Sequence, residues 1–125
     1  MDSELEELVD ALEDSVGSSL RGVFYGDFRH REYSVAYASE SVTDGYSPDQ
    51  IDEIVDDVVF EKLYSDRKDD LHDPLGNYTA SVEVFEEGIN VILLGYDDLP
   101  TVFVGMDGDV SNLTPALEAV RDVLD

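Results

Sequence analysis

Asp107, Asp109 and Glu118 come nearest, by residue type and spacing, to a reactive constellation. Asp107-Gly108-Asp109-Val110-Ser111 resembles the opening of a calcium loop, and Glu118 stands at the twelfth position, where such loops place a bidentate carboxylate. The pattern fails at the sixth position, where Asn112 replaces the glycine that allows the sharp turn. Pro115, and a strand-like run before Asp107, also contradict a helix–loop–helix context. These residues are therefore read as a solvated turn capping the last helix.

The two histidines are His30 and His72. His72-Asp73 has the chemistry of a base and its orienting acid, and Ser65 or Ser81 could supply a nucleophile. No nucleophile elbow accompanies them, and His72 lies in a polar stretch beside Pro74. The acidic pairs Asp56-Asp57 and Asp97-Asp98 are uninformative, since adjacent helical residues do not face each other. The glycines form neither a dinucleotide-binding fingerprint nor a phosphate-binding loop. With no cysteine, thiol catalysis, Cys-based zinc sites and iron–sulfur clusters are excluded. No catalytic residue, metal or cofactor is expected. One feature runs against the charge of the chain: Arg29-His30-Arg31 gathers two of only seven cations and a histidine within three residues. It either neutralises Asp27 and Glu32 locally or docks a carboxylate or phosphate of a partner on the planar guanidinium forks. Lys62, Arg67 and Lys68 form a looser second cluster, expected after the middle helix.

These residues need elements to hold them. Leu5, Leu8, Val9, Leu12 and Val16 recur at helical spacing between an N-cap at Ser3, with Glu6 three residues on, and a stop at Gly17. Residues 20–28 and 32–39 read as strands joined by a turn at Arg29-His30-Arg31, with Tyr33, Val35 and Tyr37 alternating. Ser47-Pro48-Asp49-Gln50 opens a second helix with a capping box, burying Ile51, Ile54, Val55 and Val58. Tyr64 to Gly76 reads as a polar loop with room for one helical turn, closed by Asp73-Pro74-Leu75-Gly76. Strands follow over 78–84 and 89–95, joined by a tight turn at Glu86-Glu87-Gly88, and over 101–106. A final helix carries Leu113, Leu117, Val120 and Leu124. The 89–95 strand, the most apolar, is expected at the centre of the sheet. The order α-β-β-α-β-β-β-α predicts a single α+β domain over 1–125, a five-stranded antiparallel sheet with packed helices.

That order is similar to roadblock/LC7 and other profilin-like domains, and in outline to PAS and GAF sensors. The acidic first helix ending before SLRGV, the YSPDQIDEIVDDV segment, the FEEGINVILL hairpin and the GMDGDVSNL run resemble a family of short haloarchaeal proteins. The haloarchaeal resemblance implies no activity. The roadblock resemblance implies a homodimer that scaffolds small GTPases. It transfers no functional residue.

Composition bounds the habitat. Among 125 residues, 31 acids against 7 Lys and Arg give a net charge of −24 and a pI near 4.1, while apolar residues reach 42%, enough for a core. The acids are spread along the chain, and only Lys62 and Lys68 are lysines. In molar salt the Debye length falls to ~3 Å and the self-repulsion of such a surface is screened. This is the expectation for the salt-rich cytoplasm of a halophilic archaeon. The acidic N-terminus fails as a signal peptide, and no apolar run could span a bilayer. Charge of this sign disfavours direct binding of nucleic acid or anionic membranes. The sequence thus predicts a cytoplasmic, homodimeric, non-enzymatic interaction or regulatory module for a protein partner, with a small GTPase as the first candidate. A PAS- or GAF-type small-molecule sensor is the alternative, and an enzyme of unknown class comes third. Arg29, His30 and Arg31 are the candidate partner-binding residues.

Overall fold

The computed structural model describes residues 3–27, 30, 32–39, 45, 47–71, 73–76, 78–94 and 101–124. Helix α1 (Ser3–Val16) buries all five of its periodic apolar residues and ends where Gly17 takes φ 57°, a left-handed conformation that costs glycine nothing. A short 3₁₀ turn, Gly17–Ser19, feeds β1 (Leu20–Asp27), which pairs antiparallel with β2 (Glu32–Ala38). Helix α2 (Pro48–Leu71) opens on the expected capping box. The Gln50 amide donates to Ser47 Oγ at 3.2 Å, and the Ser47 amide donates to Gln50 Oε1 at 2.8 Å. Two otherwise orphaned amides are thereby satisfied. Strands β3 (Ala80–Phe85) and β4 (Gly88–Leu93) form a hairpin around Glu86-Glu87, and β5 (Thr101–Met106) leads through a 3₁₀ turn into α3 (Leu113–Leu124).

The five strands form one sheet in the order β2-β1-β5-β4-β3, with every described pair antiparallel. The α+β class and the element order are therefore as the sequence reads. Alternation divides each strand between two faces. Ile89, Val91 and Leu93 of β4 and Val102, Val104 and Met106 of β5 join α1 and the Ala116, Ala119 and Val120 stripe of α3 in the main core. On the opposite face Val55 and Val58 of α2 bury against Ile92, Leu94 and Phe103. The sheet is thus the middle of three layers, two helices on one side and one on the other. No helix among the described residues is long and apolar enough to cross a membrane.

Three expectations need correction. Strand β4 is not central; β5 is, because the chain returns from β4 to pair its last strand with β1. Leu93 is nonetheless only 2% exposed, since β4 has neighbours on both sides and layers on both faces. Residues 64–71 are helix rather than loop: the run contains good helix formers, and its breakers, Pro74 and Gly76, come only later. Lys62, Arg67 and Lys68 therefore belong to α2 and do not follow it; their side chains lie outside the described residues. Tyr37 does not share a face with Tyr33 and Val35. A bulge lets Val23 pair with Tyr37 and Phe24 with Val35, which turns Tyr37 toward the main core and leaves Tyr33 and Val35 on the α2 face.

Candidate functional site

Of the Arg29-His30-Arg31 turn, Arg29 and Arg31 lie outside the described residues. His30 stands exposed between β1 and β2, its Nδ1 2.7 Å from Asp27 Oδ2, and its backbone amide donates to Asp27 Oδ1 at 3.4 Å. The imidazole and the backbone amide of His30 thus both meet Asp27 within the turn. His72, Asp97 and Asp98 also lie outside the described residues, while Ser65 belongs to α2 and Ser81 to β3. Asp56 and Asp57 are exposed on α2.

The acidic segment after β5 behaves as a cap. Asp107 Oδ1 accepts from the Asp109 amide at 3.1 Å. Asp109 Oδ1 in turn accepts from the Ser111 amide at 3.0 Å and the Ser111 hydroxyl at 2.6 Å. The Ser111 hydroxyl, and secondarily its amide, holds the Asp109 carboxyl below its ordinary value of 3.8. Asn112 Nδ2 reaches back to Ser19 Oγ at 2.8 Å, tying the turn to the start of β1. Gly108 is required by close approach, since a Cβ there would lie 2.7 Å from the Glu86 carbonyl oxygen. These carboxylates satisfy backbone donors ahead of α3, the work of a capping turn.

A concavity lies elsewhere. A groove of about 660 Å³ runs between the first turns of α2 and the sheet face beneath them. Sites for small molecules usually occupy roughly 300–1,000 Å³. Gly105, where a Cβ would meet nothing closer than 3.8 Å, leaves it open, whereas the Phe24 ring lies 2.8 Å from where a Cβ on Gly22 would be. Gly22 of β1 pairs with Ala38 of β2 on one side and Gly105 of β5 on the other, and Gly105 pairs with Asn90 of β4. The next row inward is filled: Phe24 and Phe103 set their rings 6.1 Å apart at 59° and meet α2. Over the small-residue row, Ile51, Ile54 and Val55 form the roof. Tyr33 and Val35 rim the groove on the β2 side and Phe85 on the β3 side; all three are exposed, Val35 and Phe85 by more than half.

Arg21, Asn90 and Glu87 bring polar groups to this apolar space. Arg21 is the extra residue where β1 shifts register against β5, so its side chain is released from the regular pleat. Its Nη1 donates to the Glu87 carbonyl oxygen at 2.8 Å and lies 3.7 Å from where a Cβ on Gly88 would be. That contact fixes the guanidinium at the hairpin end of the groove. Asn90 sits on the floor between buried Ile89 and Val91, its Oδ1 beside Gly105. None of the four floor and end residues, Gly22, Gly105, Asn90 and Arg21, is among the sequence-derived candidates. A glycine inside TVFVGM and an asparagine inside GINVILL are the available signals, as each interrupts an apolar strand.

Among solved structures the chain is similar to the gliding protein mglB of Thermus thermophilus, at 13% identity and a TM-score of 0.49, covering 99% of this chain and 93% of that one. No curated protein matches the sequence. A family model described as a domain of unknown function, DUF7522, matches residues 6–125. With nearly its whole length matched, the chain belongs to the DUF7522 family.

Proposed function

We propose that this protein is a non-enzymatic interaction and regulatory module working in the salt-rich cytoplasm of a halophilic archaeon, as a homodimer that engages a protein partner. The observation that carries the reading is the α2 face of the sheet. An open apolar groove is rimmed by exposed Tyr33, Val35 and Phe85, on a molecule whose surface is otherwise rich in acids. Contiguous exposed apolar surface rimmed by polar residues marks interaction sites. Dispersed carboxylates at net charge −24 support the high-salt setting. The element order resembles that of domains that scaffold small GTPases, which makes a small GTPase the first partner to test; fold alone does not fix function. Arg29, His30 and Arg31 are the proposed docking point for an acidic group of that partner. Molar salt screens exposed pairs, so only contacts desolvated by the partner would count there.

Capture in molar KCl tests this. The immobilised protein is compared with a Tyr33→Asp/Val35→Asp variant and an Arg29→Ala/Arg31→Ala variant, all with similar melting temperatures. The expected result is a small GTPase retained by the parent and lost from one or both variants. Identical capture by all three proteins would refute the reading.

A second reading is a small-molecule sensor, and the groove favours it directly: it lies between sheet and helix, has the volume of a ligand site, and carries only a few polar groups. Native mass spectrometry of the protein purified without denaturant tests it through the mass of a retained ligand.

A further inference from the structure

Gly105 has no structural need to be glycine. Its φ lies outside the left-handed range, and a Cβ built on it meets nothing closer than 3.8 Å: Asn90 Oδ1, a Phe103 ring carbon and, at 4.0 Å, the Gly22 carbonyl oxygen. Strand interiors disfavour glycine, and one that neither turns the chain nor packs tightly marks a place where something else approaches the backbone. The space above it is the floor of the groove.

Arg21 is the second observation. In a chain with 31 acids and 7 Lys and Arg, this half-buried residue lines the groove and forms no ion pair among the described residues. Its one protein acceptor there is the neutral Glu87 carbonyl. The remaining N–H donors suit a planar, bidentate acceptor, and a carboxylate is the acceptor that matches the guanidinium fork. Glu87 also lines this end, and Glu83 stands opposite Asn90 on the same face, so charge near the groove is not uniformly positive. Asn90 is the third. Its amide, half-buried on the groove floor, has no hydrogen-bond partner among the described residues, yet it interrupts an otherwise apolar strand.

We propose that the groove binds a small apolar carboxylic acid, its carboxylate on the Arg21 guanidinium, its first polar or unsaturated atoms beside the Asn90 amide, and its hydrocarbon body over Gly105 beneath Ile51, Ile54 and Val55. The occupant is a free soluble acid. This rests on the sensor reading, and it goes further by assigning the ligand class and the orientation. The ~3 Å Debye length in molar salt weakens fully exposed pairs, so the acid's hydrocarbon body must bring its carboxylate against the guanidinium for the pair to count.

The test titrates the full chain in 2 M KCl with three probes of equal chain length: octanoate, octan-1-ol and octyltrimethylammonium, followed by intrinsic tyrosine fluorescence and calorimetry. Octanoate should bind saturably, roughly tenfold more tightly than octanol, as befits a charge-assisted pair of hydrogen bonds. The cation should bind more weakly than either. Arg21→Gln should reduce octanoate to the affinity of octanol while leaving octanol unchanged. Gly105→Val fills the floor with a residue that strands favour, and should abolish both, with a circular-dichroism melt showing that the variant is folded. Equal binding of octanoate and octanol overturns the carboxylate assignment while the groove stands as an apolar ligand site. Octanoate binding that survives Gly105→Val overturns the location. No binding by any probe overturns this proposal and the sensor reading together, without touching the protein-interaction reading. The probe series on the parent protein keeps the proposal falsifiable if a variant fails to fold.

Discussion

Gly105→Ala should stabilise the protein, an unusual expectation for a substitution at a buried strand position. The new Cβ meets no atom closer than 3.8 Å, ordinary van der Waals contact, and no backbone torsion forbids it. Glycine in a strand interior is worse than alanine by roughly 0.5–1 kcal/mol, because it loses more backbone freedom on folding. With no clash to offset that gain, stability should rise by about the same amount, a shift of roughly 2–5 °C in melting temperature for a domain of this size. Gly26→Ala is the internal control. Gly26 holds φ 146°, and a Cβ there would run into the Glu32 carbonyl oxygen and lie 2.7 Å from Tyr33 Cα, both backbone atoms of the paired strand. Neither can yield without separating β1 from β2, so this variant should lose at least ~2 kcal/mol. Melts by circular dichroism in 2 M KCl compare the three proteins. If Gly105→Ala is destabilised by ~1 kcal/mol or more, the space above Gly105 is not open, and both the groove and its proposed ligand fall with it.

Leu93→Asp should unfold the protein, since an unpaired carboxylate buried in the main core costs several kcal/mol of a typical 5–15 kcal/mol stability; a cooperative melt of a soluble variant would show the core misplaced. Ser47→Ala removes the hydroxyl that caps α2 and should cost about 1 kcal/mol in urea titration, with the amide of Gln50 losing its exchange protection. Melting temperature should climb steeply between 0.1 and 2 M KCl as carboxylate repulsion is screened; a flat salt dependence would refute the halophilic setting. Asp109 titrates below its ordinary value because Ser111 hydrogen-bonds its charged form, so its stabilising contribution is present at neutral pH and lost as pH falls through its lowered folded value. In a carboxyl-detected NMR titration, Ser111→Ala should return Asp109 toward 3.8, and an unmoved value would mean that the turn is held by something else.

How far the sequence can be read depends on the range of the physics involved. Helix α1 and the Ser47–Gln50 box are local: a period of 3.6 and two side chains three residues apart specify them wherever they sit. The face assignment of β5 is equally legible, because Val102, Val104 and Met106 alternate strictly. The bulge that turns Tyr37 away from Tyr33 and Val35 is not legible, since it is a mismatch of register between two strands and no property of either one. The C-terminal half of α2 escapes because its residues carry helix propensity without an apolar stripe, and periodicity is the signal that marks a helix in sequence. The groove is hidden for a related reason. Gly22 comes from the first strand and Asn90 and Gly105 from the last two, and only the pairing of β1, β5 and β4 puts them in one row. The Arg29-His30-Arg31 turn is visible because its residue types cluster locally, and His30 likewise finds its partner, Asp27, only three residues away.

The most direct test asks which face of the sheet does the binding. A methyl-resolved NMR spectrum of the Ile-, Leu- and Val-labelled protein in 2 M KCl, recorded as octanoate is added, reads both sides at once. Saturable shifts are expected at Ile51, Ile54 and Val55 under α2, with Leu8, Leu12 and Val120 of the helix-pair core unmoved. Shifts confined to the α1–α3 side, or α2 methyls that stay fixed at saturating probe, would contradict the placement of the functional site in the groove.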